Sequence, residues 1–129
     1  MRKAILMLAI MLSCSATQAD VIKCSNLLIK ELFVEGSRDD GFGFGFGFGF
    51  ENKLIVRFRY EDGTIATCGN YEYVYLENTH AAFNGVLSSL LAANMSGKHI
   101  TIAVNTSKEA ISGTSSTNAN QISYVGFEN

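Results

Sequence analysis

The chain contains no proline and no tryptophan, and its 129 residues include only two histidines and three cysteines. So few histidines and cysteines leave little material for a metal site. Ten lysines and arginines stand against twelve aspartates and glutamates, so no basic excess indicates a nucleic-acid binder. We therefore expect no metal, no cofactor and no nucleic-acid partner.

The overall composition is that of a globular protein. Hydrophobic residues make up 47% of the chain and charged residues 17%, a balance that excludes a disordered protein. A length of 129 residues accommodates one domain. These figures exclude a multidomain enzyme and a polytopic membrane protein, but they do not indicate an activity.

The first residues have the three regions of an export signal. Arg2 and Lys3 form a positive start, residues 4–12 are an unbroken apolar run, and residues 13–19 are small and polar. We predict a signal peptide over residues 1–19 and therefore a periplasmic or secreted protein.

Two other interpretations of this segment stay open at this point. A transmembrane anchor would need an apolar run of about 20 residues, and the run here is much shorter. Lipidation of Cys14 would need a lipobox, and the residues before Cys14 match one poorly. The mature chain, with no predicted transmembrane span, would then run from residue 20 to residue 129 as a single domain.

The mature chain keeps two cysteines, Cys24 and Cys68. An even number of cysteines in an exported chain indicates a disulfide bond. The loop that such a bond would close is worth about 4 kcal/mol in the chain-entropy model. The alternative is a pair of buried free thiols, which an oxidising compartment disfavours.

Hydrophobic periodicity predicts a mainly β protein with one helix. In residues 53–60 the alternation places Leu54, Val56, Phe58 and Tyr60 on one face of a strand. The helix would begin after Asn78 or Thr79 as N-cap and would end at Gly97 as C-cap. The predicted strands are 27–34, 53–60, 64–68 (with 71–76 extending or following it), 99–105 and 122–127; the predicted helix is 80–96, its buried stripe being Phe83, Val86, Leu87, Leu90, Leu91 and Met95.

The order of these elements is that of an OB-fold. This fold is a five-stranded Greek-key barrel, here with the helix between strands three and four. We therefore expect an OB-like barrel, with the stripe of the helix closing one end. A plain α+β sandwich would give a similar order of elements and stays open as an alternative.

One stretch resembles a known family. Residues 82–104 (AFNGVLSSLLAANMSGKHITIAV) resemble the helix–glycine–strand segment of small exported proteins similar to the B subunit of subtilase cytotoxin. The Asp-Gly turn at 62–63, the Cys-Gly pair at 68–69 and the strand at 122–127 add to the resemblance. The resemblance implies an OB-fold, a signal peptide and a disulfide, and in the toxin members a pentamer that binds sialoglycans.

Residues 41–50 form a perfect dipeptide repeat, GFGFGFGFGF, which has no counterpart in that family pattern. In an extended chain, residues two apart share a face, so the phenylalanines would form an aromatic row. We expect the repeat to lie in the loop between strands one and two. It would be either a tolerated loop or a contact surface, since large exposed apolar patches usually mark interfaces.

OB-folds bind ligands with the loop between strands one and two and the loop between strands four and five. The second of these is the Ser/Thr-rich stretch 105–121. Tyrosines on strands can stack on sugars, although they are more often half-buried packing residues. The candidate ligand contacts are Phe42, Phe44, Phe46, Phe48, Tyr71, Tyr73, Ser115 and Asn118.

Other polar residues have simpler interpretations. Arg57 and Arg59 share a strand face and are expected to be solvated beside glutamates. His80 and His99 have no cysteine, histidine or carboxylate at ligand spacing, so neither predicts a metal site. Ser112 and Ser115 have no adjacent base that would indicate a catalytic triad.

These patterns favour an exported, non-enzymatic binding module whose ligand is a glycan or a protein. The alternative is a structural or interaction protein of the periplasm or cell surface. In that case the Gly-Phe repeat would mediate self-assembly into a homo-oligomer or contact with a membrane.

Overall fold

The computed structural model describes residues 20–36, 51–108, 110–112 and 118–128. The predicted signal peptide and the Gly-Phe repeat lie outside these ranges. The elements are β1 (Val21–Glu35), β2 (Lys53–Arg59), β3 (Tyr73–Glu77), α1 (Phe83–Ser96), β4 (Ile100–Asn105), β5 (Ile111–Ser112) and β6 (Asn118–Phe127).

The strands form one sheet that closes on itself. Their order is β3-β2-β1-β4-β6-β5, and β3 also pairs in parallel with β6. Five strands therefore make a closed ring, and the short β5 is added to β6. The prediction of a mainly β protein with its helix between the third and fourth strands is confirmed.

Strand β1 is long because it has two partners. Val21 to Leu27 pair with β4, and Leu28 to Glu35 pair with β2. Periodicity predicted only residues 27–34, since the preceding residues are mostly exposed and lack an apolar alternation. These residues become part of the strand because they pair with β4. Such a tertiary effect cannot be predicted from a local pattern.

The predicted strand at residues 64–68 is wrong. The structure has only isolated bridges in this connection, between Arg59 and Ile65 and between Cys68 and Tyr71. Two glycines with positive φ bound the segment, Gly63 at 88° and Gly69 at 76°, and such backbone turns interrupt a strand. The third strand is β3.

Helix α1 begins at Phe83, three residues later than predicted. The predicted caps Asn78 and Thr79 lie in a turn, and the N-cap residue is Ala82, which makes no side-chain cap hydrogen bond. The side chain of His80 takes up one backbone donor just before the helix: its Nδ1 accepts a hydrogen bond of 3.1 Å from the Ala82 N–H. The predicted C-cap is confirmed: Gly97 adopts a left-handed conformation with φ of 65°.

The helix buries a narrower stripe than predicted. Leu90 is fully buried and Ala93 nearly so, whereas Leu91 is 43% exposed and Met95 is 86% exposed. Successive helical residues are rotated by about 100°, so Leu91 points away from the face that buries Leu90. Phe83, Val86 and Leu87 are partly buried against the main core, as expected.

Strand β2 is buried on both faces. Leu54, Val56 and Phe58 belong to the main core, while Ile55 packs with Tyr75 and Ala119 in a second cluster. Tyr60, expected on the inner face, follows the end of the strand and is 40% exposed. On β4, the inward positions Ile100, Ile102 and Val104 are confirmed as core residues.

A disulfide joins Cys24 and Cys68, whose Cα atoms are 5.9 Å apart, so this prediction is confirmed. Because residues 64–68 do not form a strand, the bond connects β1 to the segment that precedes β3. Among the described residues, no helix is long and apolar enough to cross a membrane.

Candidate binding cleft

The sequence-predicted ligand contacts are only partly within the described residues. Phe42, Phe44, Phe46, Phe48 and Ser115 lie outside them. Tyr71, Tyr73 and Asn118 are described, and all three are half-buried. Because Tyr73 pairs with Ala119 in the parallel β3–β6 ladder, Tyr73 and Asn118 lie in the same part of the sheet.

The ring of Tyr73 already has a partner. The guanidinium carbon of Arg57 lies 5.3 Å from the ring centroid, within the range of a cation–π contact. The Tyr73 hydroxyl donates a hydrogen bond of 3.3 Å to Glu31 Oε2. Burial, and next the charge of Glu31, raise the pKa of Tyr73 above its ordinary value. These contacts agree with a packing role for this tyrosine.

Arg57 has the glutamate partners that the sequence analysis expected. Its Nη2 is 2.7 Å from Glu72 Oε2, and its Nη1 is 3.7 Å from Glu31 Oε1. This network occupies the described surface next to Tyr73. The polar side chains of this network are bonded to one another. A second region of the surface is a better candidate for a ligand.

That second region is a cleft near the end of β2 and the start of β4. A recess of about 460 Å³ is lined by Asn26, Tyr60, Glu61, Asp62 and His99. A neighbouring recess of about 530 Å³ shares Asn26 and His99 with it and adds Gly97, Lys98 and Glu128 to the lining. Because the two recesses share two residues, we treat them together as the Asn26 cleft.

The Asn26 cleft lies where β1 changes partner. Leu27 pairs with Ile100 at the start of β4, and Leu28 pairs with Arg59 at the end of β2. The β1–β4 register shifts just before Leu27, and Asn26 there has a positive φ of 58°. Asparagine tolerates this left-handed conformation better than most residues. This irregular part of β1 lies between the end of β2 and the start of β4.

One wall of the cleft is the turn after β2. The Tyr60 N–H donates to the Thr64 carbonyl over 2.8 Å, and the Gly63 N–H donates to the Tyr60 carbonyl over 3.0 Å. Asp62 Oδ1 accepts hydrogen bonds from the Thr64 hydroxyl and from the Thr64 N–H. The hydroxyl contact, followed by the N–H contact, lowers the pKa of Asp62 below its ordinary value. The turn thus holds an exposed aromatic ring beside an ionised carboxylate.

The side chain of His99 contacts this turn from another part of the cleft lining. Its Nε2 is 2.7 Å from Glu61 Oε2, although the two residues are 38 positions apart in the sequence. No carboxylate lies at ligand spacing from His99 in the sequence, because the partner comes from a distant turn. The side chains of His99 and Glu61 are 40% and 76% exposed, so a ligand can reach both.

Glu128 forms the far end of the cleft. Its side chain accepts hydrogen bonds from the Thr101 hydroxyl and, over 3.1 Å, from the Asn26 N–H. The Thr101 hydroxyl is the largest cause of a lowered pKa of Glu128, followed by Ser25. The carboxylate therefore stays ionised at neutral pH and holds the irregular part of β1 in place.

A smaller groove lies between α1 and β6. It measures about 330 Å³, and its lining is mostly apolar and includes Val86, Tyr124 and Val125. It contains no charged side chain, and it lies away from the Asn26 cleft, with which it shares no lining residue.

Most of the Asn26 cleft has no signal in the sequence. The alternation predicts Tyr60 on the inner face of a strand, and the sequence offers the turn at 62–63 and His99 as separate features, but no local pattern connects these residues. Within the described ranges, no group of three or more histidine, cysteine, aspartate or glutamate side chains is arranged to hold a metal ion. Comparisons of the chain with protein-family models, with curated proteins and with solved structures found no match.

Proposed function

We propose that this chain is an exported, non-enzymatic binding module of OB-like fold, and that its ligand is a glycan bound in the Asn26 cleft. The observation that carries the proposal is the exposed ring of Tyr60 on a cleft wall lined by hydrogen-bonding side chains. The resemblance to proteins similar to the subtilase cytotoxin B subunit supports the same class of function.

The strand order supports the OB-like part of the proposal. Along the closed sheet, β1 lies between β2 and β4, β2 pairs with β3, and β3 pairs with β6, which returns to β4. With β5 set aside as a short addition, this is a five-stranded Greek-key arrangement with a helix after the third strand.

The chemistry of the cleft supports a saccharide. A tyrosine ring gives a flat apolar surface with a polar tip, which suits the apolar face of a pyranose. Asn26, Glu61 and Asp62 supply oxygen acceptors, and His99 supplies ring nitrogens, for hydroxyl groups at the edge of a sugar. A recess with few, defined polar groups is the usual form of a small-ligand site.

The lining also supports a binding role rather than catalysis. No serine, threonine or cysteine is among the residues that line the two recesses, so His99 forms no Ser-His, Thr-His or Cys-His pair there. His99 is instead hydrogen bonded to Glu61. This is an arrangement that positions both side chains for a ligand.

A glycan array probed with the purified, folded protein tests the proposal. We expect binding to at least one glycan class, and we expect Tyr60→Ala to reduce it strongly. Tyr124→Ala is the matched control, because Tyr124 is 45% exposed but lines the groove between α1 and β6. Absence of binding to every sugar by a folded sample would contradict the proposal.

The competing class is a structural or interaction protein that acts through the Gly-Phe repeat. Its test is sedimentation and liposome flotation of the protein beside a variant lacking residues 41–50. Our proposal expects the two proteins to behave alike in both measurements. Loss of assembly or of flotation in the deletion variant would favour the competing class.

A further inference from the structure

We infer that the Asn26 cleft recognises an uncharged, hydroxyl-rich sugar residue, and that it selects against a sugar bearing a carboxylate. This inference rests on the proposed function, and it specifies the class of ligand that the cleft accepts. It also differs from the sialoglycan preference that the family resemblance implies.

The charges that line the cleft carry the inference. Three carboxylates, those of Glu61, Asp62 and Glu128, line the two recesses, against one ammonium group, that of Lys98. The negative side chains remain in excess whether His99 is neutral or protonated. A carboxylated sugar would therefore place its charge among like charges, which costs affinity.

Two other cations, Arg59 and Lys23, lie near the cleft but do not line it. Arg59 donates a hydrogen bond to the Tyr60 carbonyl over 3.3 Å, and its side chain is not part of the lining. The charge of Lys23 lowers the pKa of Glu128 less than the hydrogen bonds to that carboxyl group do, and Lys23 lines neither recess. Neither cation lines the recess beside Tyr60, where the sugar would sit.

The available hydrogen-bonding groups point to the same ligand. Carboxylate oxygens only accept hydrogen bonds, and each can accept more than one. Asp62 uses Oδ1 for Thr64, and Glu61 uses Oε2 for His99, so each carboxylate has a further oxygen for a ligand. Sugar hydroxyl groups can donate to these oxygens, whereas a ligand carboxylate cannot.

A matched pair of glycans tests the inference. The probes are one immobilised biantennary N-glycan with terminal sialic acid and the same glycan after enzymatic removal of sialic acid. We expect the purified protein to bind the desialylated form more tightly, with a dissociation constant at least about tenfold lower. Tyr60→Ala should abolish binding, Tyr60→Phe should retain it, and Tyr124→Ala should leave it unchanged.

A second variant tests the charge directly. Glu61→Gln removes one negative charge from an exposed side chain and should narrow the difference between the two glycans. Melting curves of every variant confirm that it is folded.

The outcomes distinguish a failure of the inference from a failure of the proposed function. Tighter binding of the sialylated form, abolished by Tyr60→Ala, would overturn the charge argument and leave the glycan-binding function standing. Glycan binding that survives Tyr60→Ala would place the site elsewhere and overturn the inference. Failure of the folded protein to bind either probe or any glycan on the array would overturn the proposed function together with the inference.

Discussion

The backbone N–H of Asn26 donates a hydrogen bond of 3.1 Å to Glu128 Oε2, and so joins two residues that are 102 positions apart. Asn26 has a positive φ at the register shift of β1, and Glu128 follows directly after the last strand. The contact closes one side of the Asn26 cleft. The geometry of the cleft therefore depends on the carboxylate of Glu128.

We predict that Glu128 contributes stability above pH 4.5 and loses it in acid. Its folded pKa lies below the ordinary value of 4.5, because the Thr101 hydroxyl and then Ser25 stabilise the ionised form. A lowered pKa stabilises the folded state above the unfolded pKa, and the effect is lost as pH falls through the folded pKa. Glu128→Gln should lower the melting temperature at pH 7, and the difference should shrink as pH falls below 4.5.

Glu77→Gln is the matched control for this experiment. Glu77 is exposed at the end of β3 and lies outside the cleft. Its replacement should shift the melting temperature little at pH 7. A melting temperature of Glu128→Gln that equals the wild-type value at every pH would contradict the assigned role.

The disulfide should be a large contributor to stability. Cys24 and Cys68 are separated by 44 positions, and removal of a native disulfide from a small domain typically costs about 2–5 kcal/mol. We expect the double variant Cys24→Ala, Cys68→Ala to unfold at clearly lower urea concentration than the wild type. A reductant should lower the midpoint of the wild type and leave that of the double variant unchanged.

Two adjacent leucines of α1 should respond very differently to truncation. Leu90 is completely buried and Leu91 is 43% exposed. Leu90→Ala should cost about 2–5 kcal/mol, the usual range for a core leucine. Leu91→Ala should cost far less, since surface substitutions are usually within about 0.5 kcal/mol. Equal losses in urea unfolding would show that the helix packs with a different face.

Two glycines should respond with opposite signs to alanine. At Gly69, which has φ of 76°, an added Cβ would lie 2.7 Å from Asn120 Oδ1, so Gly69→Ala should destabilise the fold. Gly85 lies in α1 with open space around it, so Gly85→Ala should stabilise by about 1 kcal/mol through helix propensity. Thermal unfolding of both variants measures the signs, and stabilisation by Gly69→Ala would be the unexpected result.

The sequence predicts the elements in which buried residues recur at a regular spacing. Alternation in β2 and β4 and the helical stripe around Leu90 mark the residues that each element contributes to the main core, and a local pattern records these directly. The residues of the Asn26 cleft have no such pattern. They come from a bulge, a turn, the start of β4 and the end of β6, and each is ordinary in its own sequence context.

The amino-acid sequence by itself determined the mainly β class, the position of the single helix and the disulfide between Cys24 and Cys68. Tertiary structure decided what depends on long-range pairing. It extended β1 back to Val21 by pairing it with β4, left residues 64–68 outside the sheet, and brought His99 to Glu61. The physical reason is that periodicity reports which side of an element is buried, whereas strand partners, bulges and contacts between distant turns arise only when the sheet closes.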